Sequence, residues 1–318
     1  MQQRRLGQTD IQLSAIIMGT WQAGKAMWTG IDDNETRRAM RAALDAGITT
    51  FDTAEVYGNG HSERIIAQAL SDARDQVVLA SKVFSNHLQY DQVIEACERS
   101  LKNLATDHID LYQIHWPPGS FGHPVVPLEE TMRAMVDLKA QGKIRAIGVS
   151  NFNRDQMAEA AQYGPIESLQ PPYSLFWRGV EKEAAPYCHE RGMTVMAYSP
   201  MAQGLLTGKF SPGHKFAKGD HRAANRLFKP DHFQRVQTAL AELQPIAAKY
   251  DITMGQLALA WVIAQPGTCA IAGARNAEQA TQNAAAGSVQ LDQADLATMD
   301  RIGRTVTDHL DDNPVLWG

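Results

Sequence analysis

Four side chains that can hold or transfer a proton lie near the ends of three successive apolar segments. They are Asp52, Tyr57, Lys82 and His115. Three of them end a segment each, and the fourth, Tyr57, follows just beyond the first of these ends. A buried lysine needs a countercharge, which Asp52 can supply. A cation beside Tyr57 should lower the pKa of the phenol from about 10. Tyr57 is therefore a candidate proton donor to a developing alkoxide, with His115 able to hydrogen-bond to the carbonyl oxygen.

Each of these residues taken singly also has a structural explanation. An Asp–Lys pair is often part of the core, and a histidine followed by Trp116 can be a satisfied core residue. The convergence of all four on one rim is what favours a functional site over these explanations.

The segments that position these residues alternate between strands and helices, which is typical of a parallel sheet covered by helices. Eight such units predict a (β/α)₈ TIM barrel, in one domain covering residues 1–318, with an N-terminal β-hairpin near 5–13. A long loop, residues 204–230, follows the seventh strand. Strands are predicted near 15–21, 49–55, 77–83, 109–116, 144–150, 167–173, 194–199 and 269–273. Helices are predicted near 32–47, 62–73, 91–105, from 127, and near 154–163, 179–191, 231–249, 254–264 and 276–286.

Composition limits the possible partners. The chain has 318 residues, 44% of them hydrophobic, and a net charge of -5, which argues against nucleic acid or an anionic membrane as a partner. The apolar stretches are too short to span a bilayer, and the first residues do not resemble a signal peptide. Three separated cysteines in apolar surroundings indicate reduced core thiols, so a cytoplasmic location is predicted.

Three motifs resemble those of the aldo-keto reductase superfamily, and the resemblance covers essentially the whole chain. They are F-D-T-A-x-x-Y-G-x-x-x-S-E at 51–63, Ser81-Lys82, and Gln113-Ile114-His115. The resemblance implies that Tyr57 is the general acid, that Asp52 and Lys82 tune it, and that His115 orients the carbonyl. It further implies NADPH as the hydride source and small aldehydes or ketones, including dicarbonyls or semialdehydes, as substrates.

The resemblance also implies the residues that hold the cofactor. Ser150, Asn151 and Gln170 would hold the nicotinamide carboxamide, and Tyr198 would stack on its ring. Other residues would approach the pyrophosphate or complete the site: Thr20, Trp21, Ser199, Pro200, Gln203, Gly204, Leu205 and Gly273.

At the adenosine end, the pattern G-x-R-x-x-x-Q-x-x-x-N resembles the prokaryotic and potassium-channel β-subunit branches. Arg275 would bind a 2′-phosphate, so NADPH is predicted over NADH. Gln279 and Asn283 would contact adenosine, with Lys209 and Arg222 closing over it from the long loop.

Aromatic side chains in the loops above the strands predict an apolar substrate pocket. The predicted pocket residues are Trp21, Trp28, Phe84 and Trp116, with Met27, Phe176 and Trp177 as further candidates.

Three other functions remain open. One is a nucleotide-binding, redox-sensing regulatory subunit of a partner protein. A Schiff-base aldolase using Lys82 is disfavoured because Asp52 should keep that lysine charged. Metal-dependent hydrolysis is disfavoured because His115 and His123 lack the spacing of metal ligands. We expect a small carbonyl compound as the partner, and a monomer or weak homo-oligomer.

Overall fold

A computed structural model describes residues 1–218 and 220–310. Gly219 of the predicted long loop, and residues 311–318 of the predicted domain, lie outside the described residues. The strands are β1 (Gln3–Arg5), β2 (Gln12–Ser14), β3 (Ile16–Gly19), β4 (Thr50–Asp52), β5 (Val78–Val83), β6 (Ile109–Ile114), β7 (Ile144–Ser150), β8 (Ser168–Gln170), β9 (Thr194–Tyr198) and β10 (Thr268–Gly273). The helices are α1 (Asp33–Asp45), α2 (His61–Leu70), α3 (Tyr90–Leu104), α4 (Leu128–Ala140), α5 (Arg154–Ala160), α6 (Ala184–Glu190), α7 (Pro230–Lys249), α8 (Met254–Ile263), α9 (Ala277–Ala286) and α10 (Gln293–Thr307).

The strands form the barrel that the alternating pattern predicts. In the described part of the chain, eight parallel strands close in the order β10-β3-β4-β5-β6-β7-β8-β9. Closure occurs where β10 pairs with β3, with Ala270 in register with Ile16. The separate antiparallel pair β1–β2 forms the N-terminal hairpin. The predicted (β/α)₈ barrel with its hairpin is therefore confirmed.

Local capping explains where several helices begin. The Asp32 side chain accepts a hydrogen bond from the backbone N–H of Glu35 at 2.9 Å and so starts α1 as predicted. Thr253 and Gln256 bond reciprocally at the start of α8. These caps satisfy amide groups that would otherwise have no partner in the first turn.

The structure differs most from the predicted helices in two places. The helix predicted near 179–191 is a 3₁₀ turn at Gly179–Glu181 followed by the shorter α6. Pro186, which has no N–H, falls in the first turn of α6, where that loss is tolerated. The sequence prediction also missed α10, whose residues Met299, Ile302 and Val306 are buried where it packs against α7.

The hairpin closes the N-terminal end of the barrel. Leu6 and Leu13 are fully buried and, with Ile11, pack against side chains inside the barrel, such as Ile17 and Met196. The inner layer also contains the small residues expected there: Ala80, Ala146 and Cys269. The hairpin thus completes a packed interior at the end opposite to the strand ends that carry Asp52 and Lys82.

A polar cavity of about 350 Å³ opens beside the hairpin, at the starts of β5 to β7. Its buried carboxylate, Asp110, accepts hydrogen bonds from Arg74 at 3.0 Å, from Arg145 at 2.8 Å and from the Leu79 backbone at 2.9 Å. Because these groups satisfy one another, this end of the barrel contributes to stability rather than to chemistry.

None of the described helices is both long and apolar enough to cross a bilayer. Cys97, Cys188 and Cys269 are free and buried, as predicted.

Removing the apolar contact of the hairpin should destabilise the barrel. Leu13→Ala is expected to lower the free energy of unfolding by about 2–5 kcal/mol, because a fully buried leucine is replaced by a cavity. Urea unfolding followed by circular dichroism measures the change. Gln12→Ala, at the exposed neighbouring position, is the control and should stay within about 0.5 kcal/mol of wild type. Equal losses in the two variants would contradict the assigned role of the hairpin.

Candidate active site

The four predicted catalytic residues converge at the carboxyl ends of the strands. Asp52 is the last residue of β4, Lys82 is the penultimate residue of β5, and His115 follows β6 directly. Tyr57 lies in the turn between β4 and α2. That turn sits tightly on the chain after β3: a Cβ on Gly24 would lie 2.5 Å from the Tyr57 carbonyl carbon, and one on Gly58 would lie 2.4 Å from the Gly24 oxygen. The two glycines therefore let the backbones touch and fix the position of Tyr57.

A buried ion pair forms the base of the site. The Lys82 ammonium donates to Asp52 Oδ1 at 2.7 Å, to the Thr53 carbonyl oxygen at 2.7 Å, and to the Tyr57 hydroxyl at 3.4 Å. Lys82 is completely buried and Asp52 is 3% exposed. The charge of Lys82 is thus satisfied within the protein, as a buried ammonium requires.

The pKa of Tyr57 departs from the sequence prediction. Burial raises the pKa of the phenol well above its usual range, and the negative charge of Asp52 raises it further. The prediction that a neighbouring cation lowers this pKa is therefore wrong. Lys82 is closely paired with Asp52, so its charge does not offset the loss of hydration around the phenol. The consequence is a hydroxyl that keeps its proton at neutral pH and can donate it.

His115 is held as a neutral ring. Burial lowers its pKa well below the usual range, and the positive charge of Lys82 adds to the shift. Its ring centroid lies 5.7 Å from that of Tyr57. Within the described residues, Nδ1 of His115 is buried and has no hydrogen-bond partner. A neutral imidazole beside a protonated phenol offers two polar groups to one oxygen atom.

Two glutamine side chains extend the network around Asp52. Gln170 donates to Asp52 Oδ2 at 2.8 Å, and Gln113 lies 3.5 Å from the same oxygen. The prediction gave Gln170 a role at the cofactor, and the structure shows that it also supports the ion pair. Gln113 was missed, although it precedes His115 by two residues, and alternation along a strand places such residues on one face.

The ends of β7 and β9 are joined by side-chain hydrogen bonds. The Ser150 hydroxyl donates to the Gln170 carbonyl oxygen at 2.8 Å. The Asn151 amide donates to the His115 carbonyl oxygen at 3.0 Å, and the Tyr198 hydroxyl donates to Asn151 Oδ1 at 2.9 Å. These predicted nicotinamide residues therefore lie together, next to His115.

The chain after β9 adopts an unusual backbone. Ser199, Ala202 and Gln203 have φ values of 53°, 48° and 57°, and Gly204 has 94°. Positive φ is uncommon for residues with a Cβ and concentrates at ligand sites. Consecutive left-handed residues turn several amides in one direction, which suits the oxygens of a phosphate group. The predicted pyrophosphate contacts thus have a backbone that fits the group; Pro200 and Leu205 are buried beneath it.

Three cations gather where the adenosine end is predicted. Burial lowers the pKa of Lys209, and the charges of Arg222 and Arg275 lower it further. The guanidinium carbons of Arg222 and Arg275 lie 5.5 Å and 5.4 Å from the ring centre of Trp28. Arg222 also bonds to Asp220 at 2.9 Å. The cluster carries a net positive charge and suits a phosphate group.

Other predicted cofactor residues use their side chains within the protein. Gln279 Oε1 accepts from the Arg275 backbone N–H at 2.9 Å, and Asn283 donates to the Gly273 carbonyl oxygen at 3.1 Å, so both stabilise the turn after β10. The Thr20 hydroxyl donates to the Asp52 carbonyl oxygen at 2.9 Å and is 1% exposed. The Thr20 side chain therefore supports β4, and its predicted contact with the cofactor stays a prediction.

Aromatic rings form two walls around Tyr57 and His115. On one side, the Trp21 centroid lies 5.2 Å from that of Trp28 and 6.4 Å from that of Tyr57. On the other side, the ring centroid of Phe84 lies 5.5 Å from that of His115. The ring centroid of Phe121 lies 5.6 Å from that of Phe84 and 5.0 Å from that of Trp116. The sequence analysis missed Phe121, because its position depends on its own left-handed backbone conformation, which no sequence pattern predicts.

Two of the further pocket candidates belong to the core instead. Phe176 and Trp177 are buried among the hydrophobic residues packed outside the barrel interior, so their predicted place in the pocket is wrong. Both follow β8 on a stretch folded under the surface by the Ser174–Trp177 bridge. Met27 is 50% exposed.

Comparison with known proteins assigns this fold and site to a family. The model of the aldo/keto reductase family matches residues 15–304, and the chain belongs to that family. It is 36% identical over 320 residues to the NADH-specific methylglyoxal reductase of Escherichia coli K12, covering 92% of this chain and 96% of that protein.

Solved structures agree with this assignment. A glycerol dehydrogenase from Gluconobacter oxydans superposes with a TM-score of 0.89 at 33% identity, over 99% of both chains. An aldo-keto reductase from Klebsiella pneumoniae in complex with NADPH superposes with a TM-score of 0.76 at 34% identity, over 95% of both chains. The protein is thus an oxidoreductase of the kind that reduces carbonyl groups.

The neutral state of His115 should make folding sensitive to acid. An unfolded histidine takes up a proton near pH 6.5, whereas the buried ring resists it, so stability should fall as the pH drops below about 6.5. His115→Asn is expected to show a shallower loss of unfolding free energy between pH 7.5 and 5 than wild type, measured by urea titration. His189→Asn, at an exposed position of α6, is the control and should follow wild type. Identical pH dependence in all three proteins would refute the buried neutral ring.

Proposed function

We propose that this chain catalyses the NADPH-dependent reduction of small aldehydes and ketones to alcohols, with Tyr57 as the proton donor. The observation that carries the proposal is the hydrogen bond from the buried Lys82 ammonium to the Tyr57 hydroxyl, next to a neutral His115. Dicarbonyls and semialdehydes fall within the same class of substrates.

The proton transfer follows from these side chains. A carbonyl oxygen near Tyr57 and His115 would accept hydrogen bonds from the phenol and from the neutral imidazole. As negative charge develops on that oxygen, the phenolic proton moves to it. The Lys82 ammonium, which donates to the phenolic oxygen at 3.4 Å, would then stabilise the phenolate left behind.

The cofactor would supply the hydride to the carbonyl carbon. The residues present fit such a group: the left-handed segment from Ser199 to Gly204 suits a pyrophosphate, and the polar ends of β7 and β8 suit a carboxamide. Tyr198, held by Asn151, would form one face of the nicotinamide site.

The preference for NADPH rests on Arg275, supported by Lys209 and Arg222. A 2′-phosphate adds charge and acceptor oxygens that NADH lacks, and guanidinium groups bind such oxygens in pairs. The Klebsiella structure contains NADPH, whereas the Escherichia coli relative is named as NADH-specific.

Its location and assembly stay predictions. The three buried thiols suit a reducing compartment, in keeping with the predicted cytoplasm. A small carbonyl compound remains the expected partner, and a monomer or weak homo-oligomer the expected state.

Loss of the phenolic proton should abolish most turnover. Tyr57→Phe is expected to lower kcat about 10²–10⁴-fold for methylglyoxal and for benzaldehyde, because general acid catalysis is removed. The NADPH dissociation constant should stay near the wild-type value. Loss of NADPH absorbance measures the rate, and Tyr163→Phe on the surface is the matched control. Equal turnover in Tyr57→Phe would remove Tyr57 from the mechanism. NADPH binding without turnover in wild type would favour the regulatory-subunit alternative.

Removal of the Arg275 side chain should separate the two cofactors. Arg275→Ala is expected to weaken NADPH binding about 10- to 100-fold, since charge-assisted hydrogen bonds contribute about 1.5–3 kcal/mol each. NADH binding should change little. Fluorescence titration measures both constants, with Arg301→Ala, an exposed arginine on α10, as the control. If NADPH and NADH weaken alike, Arg275 does not bind the 2′-phosphate.

A further inference from the structure

Glu55 is a nearly buried carboxylate two residues before Tyr57, and its side chain is 10% exposed. One oxygen, Oε1, accepts a hydrogen bond from the backbone N–H of Phe84 at 2.9 Å and lies 2.9 Å from Nδ1 of His87. The other, Oε2, accepts from Arg99 on α3 at 3.1 Å. The carboxylate therefore joins the turn that carries Tyr57 to the chain that follows β5.

The backbone of Glu55 makes a second connection to the same strand. Its N–H donates to the carbonyl oxygen of Lys82 at 3.3 Å, and its own carbonyl accepts from the N–H of Gly60 at 2.8 Å. The turn is thus bonded on both sides of Tyr57. The hydroxyl of Tyr57 can only meet Lys82 if this turn stays against β5.

Phe84, whose N–H donates to Glu55, is part of the wall of aromatic rings beside His115. Its ring contacts His115 at 5.5 Å between centroids and stacks on Phe121 at 5.6 Å. The N–H of Phe84 points to the carboxylate, while its ring lies beside the imidazole. One side chain therefore fixes both the turn that carries the phenol and the aromatic wall facing it.

We propose that Glu55 is a positioning residue that sets the distance between the Tyr57 hydroxyl and the Phe84 wall. The inference rests on the proposed role of Tyr57 as proton donor. It requires that Glu55 act through the reach of its side chain to the N–H of Phe84, and not through its negative charge. Misplacing a catalytic group by about 1 Å can cost about 100-fold in rate, so the geometry of this turn matters for turnover.

Two conservative variants separate reach from charge. Glu55→Gln keeps the length and an acceptor oxygen for the N–H of Phe84 but loses the charge facing Arg99. Glu55→Asp keeps the charge but is one methylene too short for both contacts. Glu95→Gln is the matched control, because exposed Glu95 is the other carboxylate near Arg99, at 4.0 Å. Glu55→Ala provides a second shortened variant.

The measurements are kcat and KM for methylglyoxal and for benzaldehyde, the dissociation constant for NADPH, and the melting temperature. Glu55→Asp and Glu55→Ala should lower kcat about 10- to 100-fold for both aldehydes. They should raise KM for benzaldehyde more than for methylglyoxal, because the aromatic substrate depends on the Phe84 wall. Glu55→Gln and Glu95→Gln should stay close to wild type, and NADPH affinity should be unchanged throughout.

Several outcomes would overturn the inference. If Glu55→Asp is active and Glu55→Gln is not, charge is the property that matters. If both shortened variants match wild type, Glu55 does not position the site. If both shortened variants fail to fold while Glu55→Gln is normal, Glu55 serves only stability. A wild-type protein that reduces neither aldehyde overturns the proposed function together with this role. An active wild type with insensitive shortened variants overturns only the role of Glu55.

Discussion

The site depends on one interaction, the ion pair between Lys82 and Asp52. Burying two charges costs several kcal/mol for each ion, and that cost is recovered only when the remaining polar atoms are also satisfied. The Thr53 carbonyl oxygen accepts a second hydrogen bond from the ammonium, and Gln170 donates to the second carboxylate oxygen. Protein groups thus satisfy both members of the pair. The Lys82 ammonium can still donate a third hydrogen bond, to the Tyr57 hydroxyl. Its charge adds to the effect of burial in lowering the pKa of His115.

The two ends of the barrel carry out separate tasks. At the N-terminal end, the hairpin residues Leu6 and Leu13 fill the interior, and Asp110 is neutralised by two arginines. At the carboxyl end, strained backbone and incompletely bonded groups such as His115 Nδ1 are retained. Stability supplied at one end allows the other to hold residues in positions that they would not adopt alone.

Much of this arrangement could be predicted from the sequence. The barrel follows from alternating strand and helix periods, and the meeting of Asp52, Lys82 and His115 follows because each lies at the end of its own strand. The pKa of Tyr57 could not be predicted, because the sequence shows a nearby cation but not how deeply the phenol is buried. In the structure, burial and the charge of Asp52 both raise that pKa. The positions of the Phe121 ring and of the Thr20 hydroxyl likewise depend on three-dimensional contacts that the sequence does not show. The conformation of its loop puts Phe121 in the aromatic wall, and a hydrogen bond to the Asp52 carbonyl oxygen holds the Thr20 hydroxyl against the end of β4.

The cluster of Lys209, Arg222 and Arg275 should make the protein sensitive to the ions in the surrounding solution. Within the described residues, Asp220 bonds Arg222. Burial lowers the pKa of Lys209, and the two arginine charges lower it further, which reflects repulsion within the cluster. Dissolved anions screen such repulsion over about 10 Å at 0.1 M salt and compete for the same guanidinium groups. The long loop is thereby coupled to ionic strength. If the cluster binds a nucleotide phosphate as proposed, inorganic phosphate at high concentration would compete weakly with that nucleotide.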